Sequence, residues 1–559
     1  TIPAEGATNA SANGKIVLTF DEKVKLTDNA AATLGTQKIE GAVSGKTITF
    51  AYKGLNYATA YTFTLAAGSV ADLTDNATDQ AIVLNFTTKT KPAVTKALYD
   101  FIVPTDGDFK AALAAAAKRT DTSKRFRIFI KQGDYKIPAD ENNKVTGGDG
   151  KSYANPTTYM NTPNVSIIGE GMDNTSLTNT IPDAEYKNAN QKNPANVLEG
   201  IGKGDVLCLQ KGATGTYFQD LKMYSSMGDA KGRDIVLNDQ SNKTICKNVS
   251  LWAYQDTYVS NNQNGKFYFE DGILRGRTDY LCGKGDVYYN NVELWICEKG
   301  GYLAVPSQPK KYGYIFKDCT IKDATEAKDL NGNYTLGRPW GKGTPIALYI
   351  DTKMEAIPSA AGWDEMSGGY PKRFAEYNST TSTGSTVDLK DRKKVYDAYD
   401  SKDGDNYVNR RNETTESPIL TAEEAAFFTV ENIMGQDDDW DPTAATEQAS
   451  APTNVKLNGT TLTWDNNDYA LLWAICKNGK VVNFTITPSY IVDDASATWG
   501  VRAANEMGGL SEATTIGQGT GIRNITSATE AAVIKTAIYA ADGTQLSNLQ
   551  KGINIIVKT

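Results

Sequence analysis

The sequence predicts a mainly β protein in which a right-handed parallel β-helix, a single-stranded solenoid, is flanked at both ends by β-sandwich domains. Three observations predict this fold class. An imperfect repeat runs through the middle of the chain, and alternating apolar and polar runs occupy both ends. The length of 559 residues is too great for one hydrophobic core.

The repeat lies within residues 97–417, and each unit is a short apolar run with Asp or Asn near its middle. Successive Asp or Asn residues are 20–28 positions apart, a period typical of a solenoid with one supersecondary unit per repeat. The consensus of leucine-rich repeats is missing, whereas the β-branched, aromatic and glycine content favours a parallel β-helix. One Ala-rich helix is expected ahead of the repeat, over 109–119. The repeated positions are Asp220, Asn248, Asp271, Asn291 and Asp318.

The two ends of the chain differ from this middle part. Residues 1–92 are predicted to form a sandwich, because four alternating runs are separated by turns rich in Gly, Asn and Asp. In residues 418–450, Thr421 and Glu424 predict a capping box at a helix start, followed by an acidic linker. We expect the acidic residues 437–442 to form a solvated turn rather than a calcium site. Residues 451–516 are predicted to form the second sandwich, and 517–559 a tail. The four N-terminal runs are 15–20, 46–52, 60–68 and 81–88.

Composition excludes several classes of function. The net charge of −8 and the pI near 5.1 argue against nucleic acid as a partner, because phosphate binding needs a basic surface. No apolar run approaches the roughly 18 residues of a membrane span. The chain has no His, which excludes catalytic triads, HExxH zinc sites and imidazole as a proton shuttle.

The six Cys residues include no CxxC pair, so we expect buried packing thiols and neither a disulfide framework nor a metal site. Cys297 and Cys319 are 22 positions apart and are expected to stack on successive coils.

Two aspartates in polar segments of the solenoid suggest a chemical site. Asp279 follows Asp256 by 23 residues, which is one coil, so their side chains are expected to be neighbours on strands about 4.8 Å apart. Two adjacent carboxyls do not ionise together easily, so one is expected to hold a proton while the other acts as a nucleophile or base. Arg338, two or three coils further, could hold the ionised member by a bidentate contact, and Gln255 could donate to a developing oxyanion.

Asp and Asn also form turn ladders in β-helices without any catalytic role, and a single Asp would be explained most simply in this way. The two aspartates one coil apart, followed by the Arg-Pro-Trp segment 338–340, favour a site instead. Trp340 is equally consistent with a core residue and with a sugar platform.

The segments AYQDTY (253–258), GRTDYLCG (276–283) and LGRPW (336–340) resemble the signature regions of pectin methylesterases, and the likeness extends over about 98–395. The flanking regions resemble bacterial immunoglobulin-like and fibronectin type III domains. The last residues, 537–559, are similar to the C-terminal sorting or anchoring tails of secreted Bacteroidetes-type proteins.

The resemblance implies a role for each matching residue. Asp279 would attack the methyl-ester carbonyl of a galacturonate, and Asp256 would protonate the departing methanol and then activate water. Gln255 would hold the oxyanion, and Arg338 would orient Asp279 and keep it ionised. Trp340, Arg233 and Tyr280 are expected to contact substrate, and neither a metal nor another cofactor is implied.

Two departures from the family pattern leave alternatives open. Arg233 stands at or near the place of a second oxyanion Gln, and Cys282 replaces an aromatic residue that lines the cleft. The chain could therefore be a catalytically weakened pectin-binding module, or an esterase for a related polysaccharide ester. A polygalacturonase would need a His near its aspartates, and a lyase would need a carboxylate cluster for calcium that the solenoid sequence does not offer.

The expected partner is methyl-esterified homogalacturonan, bound by a monomer without a membrane span. The sequence starts at Thr1 without a recognisable leader. We therefore expect a mature or trimmed form. The resemblance of residues 537–559 to sorting tails, and not the start of the sequence, implies a secreted, periplasmic or cell-surface protein of a Bacteroidetes-like bacterium.

Overall fold

The structure, a computed structural model, describes residues 1–94, 98–181, 198, 200–228, 232–324, 330–465 and 469–516, together with the backbone of three strands between 536 and 558. Residues 1–516 form one compact unit and residues 517–559 a second one. The fold is mainly β, with a parallel β-helix between sandwich-like ends, as the sequence predicts.

The solenoid consists of three parallel ladders of strands that run across successive coils. The first two ladders belong to one sheet of 17 strands, and the third is a separate sheet of seven strands. Two long strands, Tyr217–Tyr224 and Thr244–Trp252, cross from the first ladder into the second. The other first-ladder strands are Phe101–Val103, Phe126–Ile130, Val165–Gly169, Lys266–Glu270, Asp286–Asn290, Tyr314–Lys317, Ile346–Ile350 and Arg373–Tyr377. The other second-ladder strands are Gly133–Ile137, Thr175–Asn179, Ile273–Gly276, Glu293–Ile296, Thr320–Asp323, Lys353–Met354 and Thr380–Thr381. The third ladder contains Thr158–Met160, Leu207–Leu209, Leu237–Asp239, Tyr258–Ser260, Thr278–Gly283, Tyr302–Pro306 and Thr335–Gly337.

The predicted repeat is confirmed, and its Asp and Asn residues occupy the bend between the first and second ladders. All five have a positive φ of 50–57°, a left-handed conformation that Asp and Asn tolerate better than most residues. The side chains also form a ladder, because Asn291 Nδ2 donates to Asp271 Oδ1 at 2.7 Å and Asn248 Nδ2 to Asp220 Oδ1 at 2.6 Å.

Stacked side chains fill the inside of the solenoid. Phe269, Tyr289, Phe316 and Tyr349 come from successive coils, and their neighbouring ring centroids are 5.1, 4.6 and 4.3 Å apart. The predicted helix is present as Phe109–Lys118 and joins the same core through its buried apolar face.

The six cysteines are buried and free, as predicted. The expected stacking of Cys297 on Cys319 is wrong, however. Ile296 pairs with Asp323 and Glu293 with Thr320, so the register puts Cys297 opposite Ala324 and Cys319 opposite Val292.

The N-terminal region is built from sheets of antiparallel strands and one parallel pair, and it contains the four predicted strands. Its first sheet contains Ala7–Ala10, Ile82–Thr88, Ala60–Leu65, Ala32–Leu34 and Gln37–Lys38. The second contains Gly14–Thr19, Thr47–Tyr52 and Gly41–Ser44, and Val24–Leu26 pairs with Val70–Asp72.

The C-terminal part of the first unit begins with three short helices, Ala422–Phe427, Val430–Met434 and Pro442–Thr446. The predicted capping box of Thr421 and Glu424 is present. A sandwich of two sheets follows. Its sheets contain Lys456–Asn458, Thr461–Thr463 and Ser489–Ile491, and Lys480–Thr485, Leu472–Lys477, Trp499–Ala504 and Thr514–Ile516.

The outer face of the first ladder is covered by other segments of the first unit. Its apolar side chains form one buried cluster with residues of the short helices and of the C-terminal sandwich. The Lys266 side chain is almost completely buried there, and its ammonium donates to the carbonyl oxygens of Met434 at 2.7 Å and Gln436 at 2.9 Å and to the carboxylate of Asp438. Asp438 also pairs with Lys243 at 2.8 Å, so part of the acidic linker binds lysines of the solenoid.

Among the described residues, three antiparallel strand pairs lie outside the ladders and the sandwiches. They pair Asp140–Thr146 with Ser152–Asn155, Val395–Ala398 with Arg411–Thr414, and Ser401–Asp403 with Asn406–Val408.

Most of the predicted sorting tail, 517–559, lies outside the described residues. The backbone there forms an antiparallel sheet of Thr536–Ala540, Gln545–Leu546 and Asn554–Lys558. Among the helices of the described residues, none has the length and apolarity needed to cross a bilayer.

The left-handed bends give a prediction for Asn291. Replacing it with Ala or Gly removes the same amide, but only Ala brings a Cβ into the left-handed region. We expect Asn291→Ala to lower the free energy of unfolding by about 1 kcal/mol more than Asn291→Gly does. Urea unfolding of both variants measures the difference, and equal stabilities would show that the backbone conformation is not a constraint there.

Candidate active site

The two predicted aspartates lie at the corner where the second ladder turns into the third. Gln255 is opposite Thr278 and Tyr258 is opposite Leu281, so the register sets Asp256 beside Asp279 on the next coil. The Asp256 N–H donates to the Thr278 carbonyl oxygen at 3.2 Å. Both aspartates have a left-handed backbone, with φ of 59° and 52°. The corner therefore has the same left-handed backbone conformation as the bend between the first and second ladders. Here, however, both residues of the pair are acidic.

Arg338 binds the carboxylate of Asp279 in a bidentate contact, as the sequence predicts. Its Nε donates to Oδ1 at 2.9 Å and its Nη2 to Oδ2 at 2.7 Å. The Tyr302 ring lies against the guanidinium, 3.9 Å from its central carbon. Burial alone would lower the pKa of Arg338, but the hydrogen bonds and charge of Asp279 outweigh it and the pKa is raised. This contact favours the charged form of Arg338.

Asp256 has different neighbours. Arg233 Nε lies 3.8 Å from its Oδ2, which is an ion pair without the bidentate geometry of the first. The Cys282 thiol also lies against Asp256, and burial together with the charges of Asp256 and Asp279 raises the pKa of that thiol well above its ordinary value. Cys282 is therefore a neutral thiol beneath the carboxyl pair. The two carboxyl groups have unequal surroundings, which is what an acid and a nucleophile made from the same residue type require.

Gln255 and Trp340 are at the surface of this corner. Gln255 is half-buried and is tied to both neighbouring coils through its backbone. Within the described residues, its side-chain amide makes no hydrogen bond, so it is available to a ligand. Trp340 is 40% exposed, which excludes the core alternative for this residue. The side chain of Arg233 is half exposed.

Tyr280 does not belong to this surface, and the expected substrate contact is contradicted. Its side chain is fully buried in the core of the solenoid, in the same cluster as the next residue, Leu281. Burial raises the pKa of its hydroxyl well above the ordinary value.

Two neighbours of the pair escaped the sequence analysis. Tyr302 lies under Arg338, and no motif marks it. Asp234 is a third acidic residue at the same corner, one coil before Asp256. A spacing of 22 residues before Asp256 was the signal that could have identified it. In the part of the chain that the structure describes, no three Cys, Asp or Glu side chains are grouped as a metal site would require.

Comparison with known proteins gives two family matches. The model of the family described as Pectinesterase matches residues 100–434, and that of the bacterial Ig-like domain matches residues 1–88.

Similar proteins of known sequence include Pectinesterase 1 of Solanum lycopersicum, 23% identical over 288 residues, which are 50% of this chain and 46% of that protein. Probable pectinesterase 56 of Arabidopsis thaliana is 23% identical over 276 residues, 47% of this chain and 84% of that protein. The chain spans about half the length of the first of these relatives.

Similar solved structures include the pectin methylesterase from carrot, with a TM-score of 0.44, 16% identity and coverage of 64% of this chain and 99% of that one. The pectin methylesterase PemA from Erwinia chrysanthemi gives a TM-score of 0.43, 20% identity and coverage of 63% and 99%. Because the family model covers more than half of the sequence, this chain belongs to the pectinesterase family.

Proposed function

We propose that this protein hydrolyses methyl esters of galacturonate units in pectin and releases methanol and pectate. The observation that carries the proposal is the carboxyl pair on consecutive coils, with one member held by the bidentate contact of Arg338. Membership of the pectinesterase family supports the same substrate class.

In the proposed first step, the Asp279 carboxylate attacks the ester carbonyl carbon and forms a bond to it. The electron pair of the carbonyl moves onto its oxygen, and the resulting oxyanion accepts hydrogen bonds from the side chain of Gln255. When the intermediate collapses, the bond to the methoxy group breaks. The protonated carboxyl of Asp256 gives its proton to the leaving oxygen, and methanol departs from an acyl-enzyme anhydride.

The second step reverses these roles. Asp256, now a carboxylate, takes a proton from water while the water oxygen attacks the acyl carbon. The bond to Asp279 breaks, the galacturonate carboxyl group is released, and Asp279 returns to the carboxylate form that Arg338 stabilises. Asp256 loses a proton in the first step and regains one from water in the second. Both aspartates therefore return to their starting forms after one cycle.

Trp340 and Arg233 are the proposed substrate contacts. An exposed indole offers an apolar face to a sugar ring, and Trp340 lies two residues after Arg338. Arg233 offers N–H donors beside Asp256 at the place where the family pattern has an amide.

The position of Arg233 also supports the second candidate function, a pectin-binding module with weakened catalysis. A guanidinium 3.8 Å from Asp256 favours the carboxylate of a residue that has to carry a proton in the first step. Both candidate functions include the binding of pectin, and they differ in whether the bound ester is hydrolysed. Both include a location outside the cytoplasm, because a polysaccharide of cell-wall size does not enter a cell intact.

Asp279 tests the esterase proposal directly. We expect Asp279→Asn to lower methanol release from esterified pectin by about 10⁴-fold or more, because an amide is a poor nucleophile. Asp271→Asn is the matched control, since Asp271 belongs to the same coil, has a similar left-handed backbone and lies outside the corner. Full activity of Asp279→Asn, with normal folding by circular dichroism, would refute the assignment.

Arg233 separates the two candidates. For an esterase that uses its N–H donors, Arg233→Ala should lower kcat by about 10²-fold, while Arg233→Gln should keep most of the rate. Methanol release and pectin binding are measured on the same preparations, and ultraviolet absorbance of the product checks for lyase activity. If the wild-type protein binds pectin without releasing methanol and Arg233→Gln gains turnover, the binding-module candidate is correct.

A further inference from the structure

A third acidic residue, Asp234, lies one coil before the pair of Asp256 and Asp279. The Asp234 N–H donates to the Gln255 carbonyl oxygen at 3.2 Å, just as the Asp256 N–H donates to that of Thr278. Asp234 thus occupies, one coil earlier, the place that Asp256 and Asp279 occupy on the next two coils. Unlike them, it is not left-handed, and it is only 1% exposed.

The side chain of Asp234 binds the backbone just before Asp256. Its Oδ1 accepts the N–H of Tyr254 at 3.2 Å and the N–H of Gln255 at 3.1 Å. Two consecutive N–H groups on one oxygen fix the peptide planes on both sides of Tyr254. The direction of the Gln255 side chain depends on the second of these planes, and Asp256 follows directly.

The surroundings of Asp234 favour its neutral form. Burial raises the pKa of its carboxyl well above the ordinary value, against the N–H groups of Gln255 and Tyr254, which lower it. The nearby Ser225 hydroxyl also lowers it, and the negative charge of Asp256 raises it. Its Oδ2 makes no hydrogen bond to any described residue, which would be costly for a buried anionic oxygen.

We propose that Asp234 is a positioning residue for the esterase reaction, and that its side chain holds the Tyr254–Gln255 segment so that Gln255 and Asp256 face the ester. This inference rests on the proposed function of the site. The contact needs only an acceptor oxygen at Oδ1, which Asn retains and Ala lacks.

The test compares three variants in the full chain. Asp234→Ala should lower kcat by about 10- to 100-fold with little change in KM, because the substrate surface remains while the oxyanion donor moves. Asp234→Asn should restore kcat to near the wild-type value and leave the acidic limb of the kcat–pH profile in place. Asp205→Ala is the matched control, since Asp205 is equally buried but its carboxylate accepts from Gly202 and Asn238 and not from the Tyr254–Gln255 backbone. It should lower stability without changing kcat.

Amide hydrogen exchange of the peptide that contains Tyr254 and Gln255 gives a readout that does not depend on turnover. Exchange there should be faster in Asp234→Ala and unchanged in Asp234→Asn and Asp205→Ala. The inference is overturned if exchange is unchanged in Asp234→Ala, or if Asp234→Asn is as impaired as Asp234→Ala. A wild-type protein that releases no methanol would reject the proposed function, while the exchange data would still decide whether Asp234 holds this segment.

Discussion

Parallel pairing between successive coils is the constraint on which every other feature of this molecule depends. It brings residues that are 22 or 23 positions apart in the sequence to neighbouring strands about 4.8 Å apart. The carboxyl pair, the guanidinium that holds Asp279 and the aromatic stack in the core are all products of this one arrangement. Moving the register by one residue would turn the corner aspartates towards the core and expose apolar side chains in their place.

The solenoid uses left-handed Asp and Asn residues twice, with different consequences. At the bend between the first two ladders, the carboxylates of Asp220, Asp271 and Asp351 each accept from an Asn amide. Asp318 and Asp351 are neighbours there and share the ammonium of Lys317, so this column is mainly structural. At the corner before the third ladder, the neighbours are both Asp, and arginines of other coils take the place of the amide. The bend and the corner share the left-handed backbone conformation. They differ in the side chains that contact the carboxylates, and this difference separates a structural column from a reactive one.

The repeat, the helix before it, the carboxyl pair and the Arg338 contact could all be predicted from the sequence, because spacing and residue type are sufficient to assign residues to coils. Spacing alone does not establish the exact register, as Cys297 and Cys319 demonstrate: they are one coil apart and still face different neighbours. It also does not establish which way a side chain points, so Tyr280 was assigned to the wrong face. The spacing of 22 residues could have placed Asp234 on the coil before Asp256, but its contacts to backbone N–H groups have no counterpart in the sequence pattern.

The covered first ladder has a practical consequence for how this protein can be divided. Its outer face is an apolar surface that the short helices and the C-terminal sandwich shield from water, with the Lys266 ammonium bound inside the contact. A solenoid that ended at residue 417 would expose this apolar surface to water. The Lys266 ammonium would also lose the carbonyl oxygens and the carboxylate that accept its hydrogen bonds. Such a fragment would tend to self-associate, and the flanking modules are better regarded as parts of a shared scaffold than as detachable spacers.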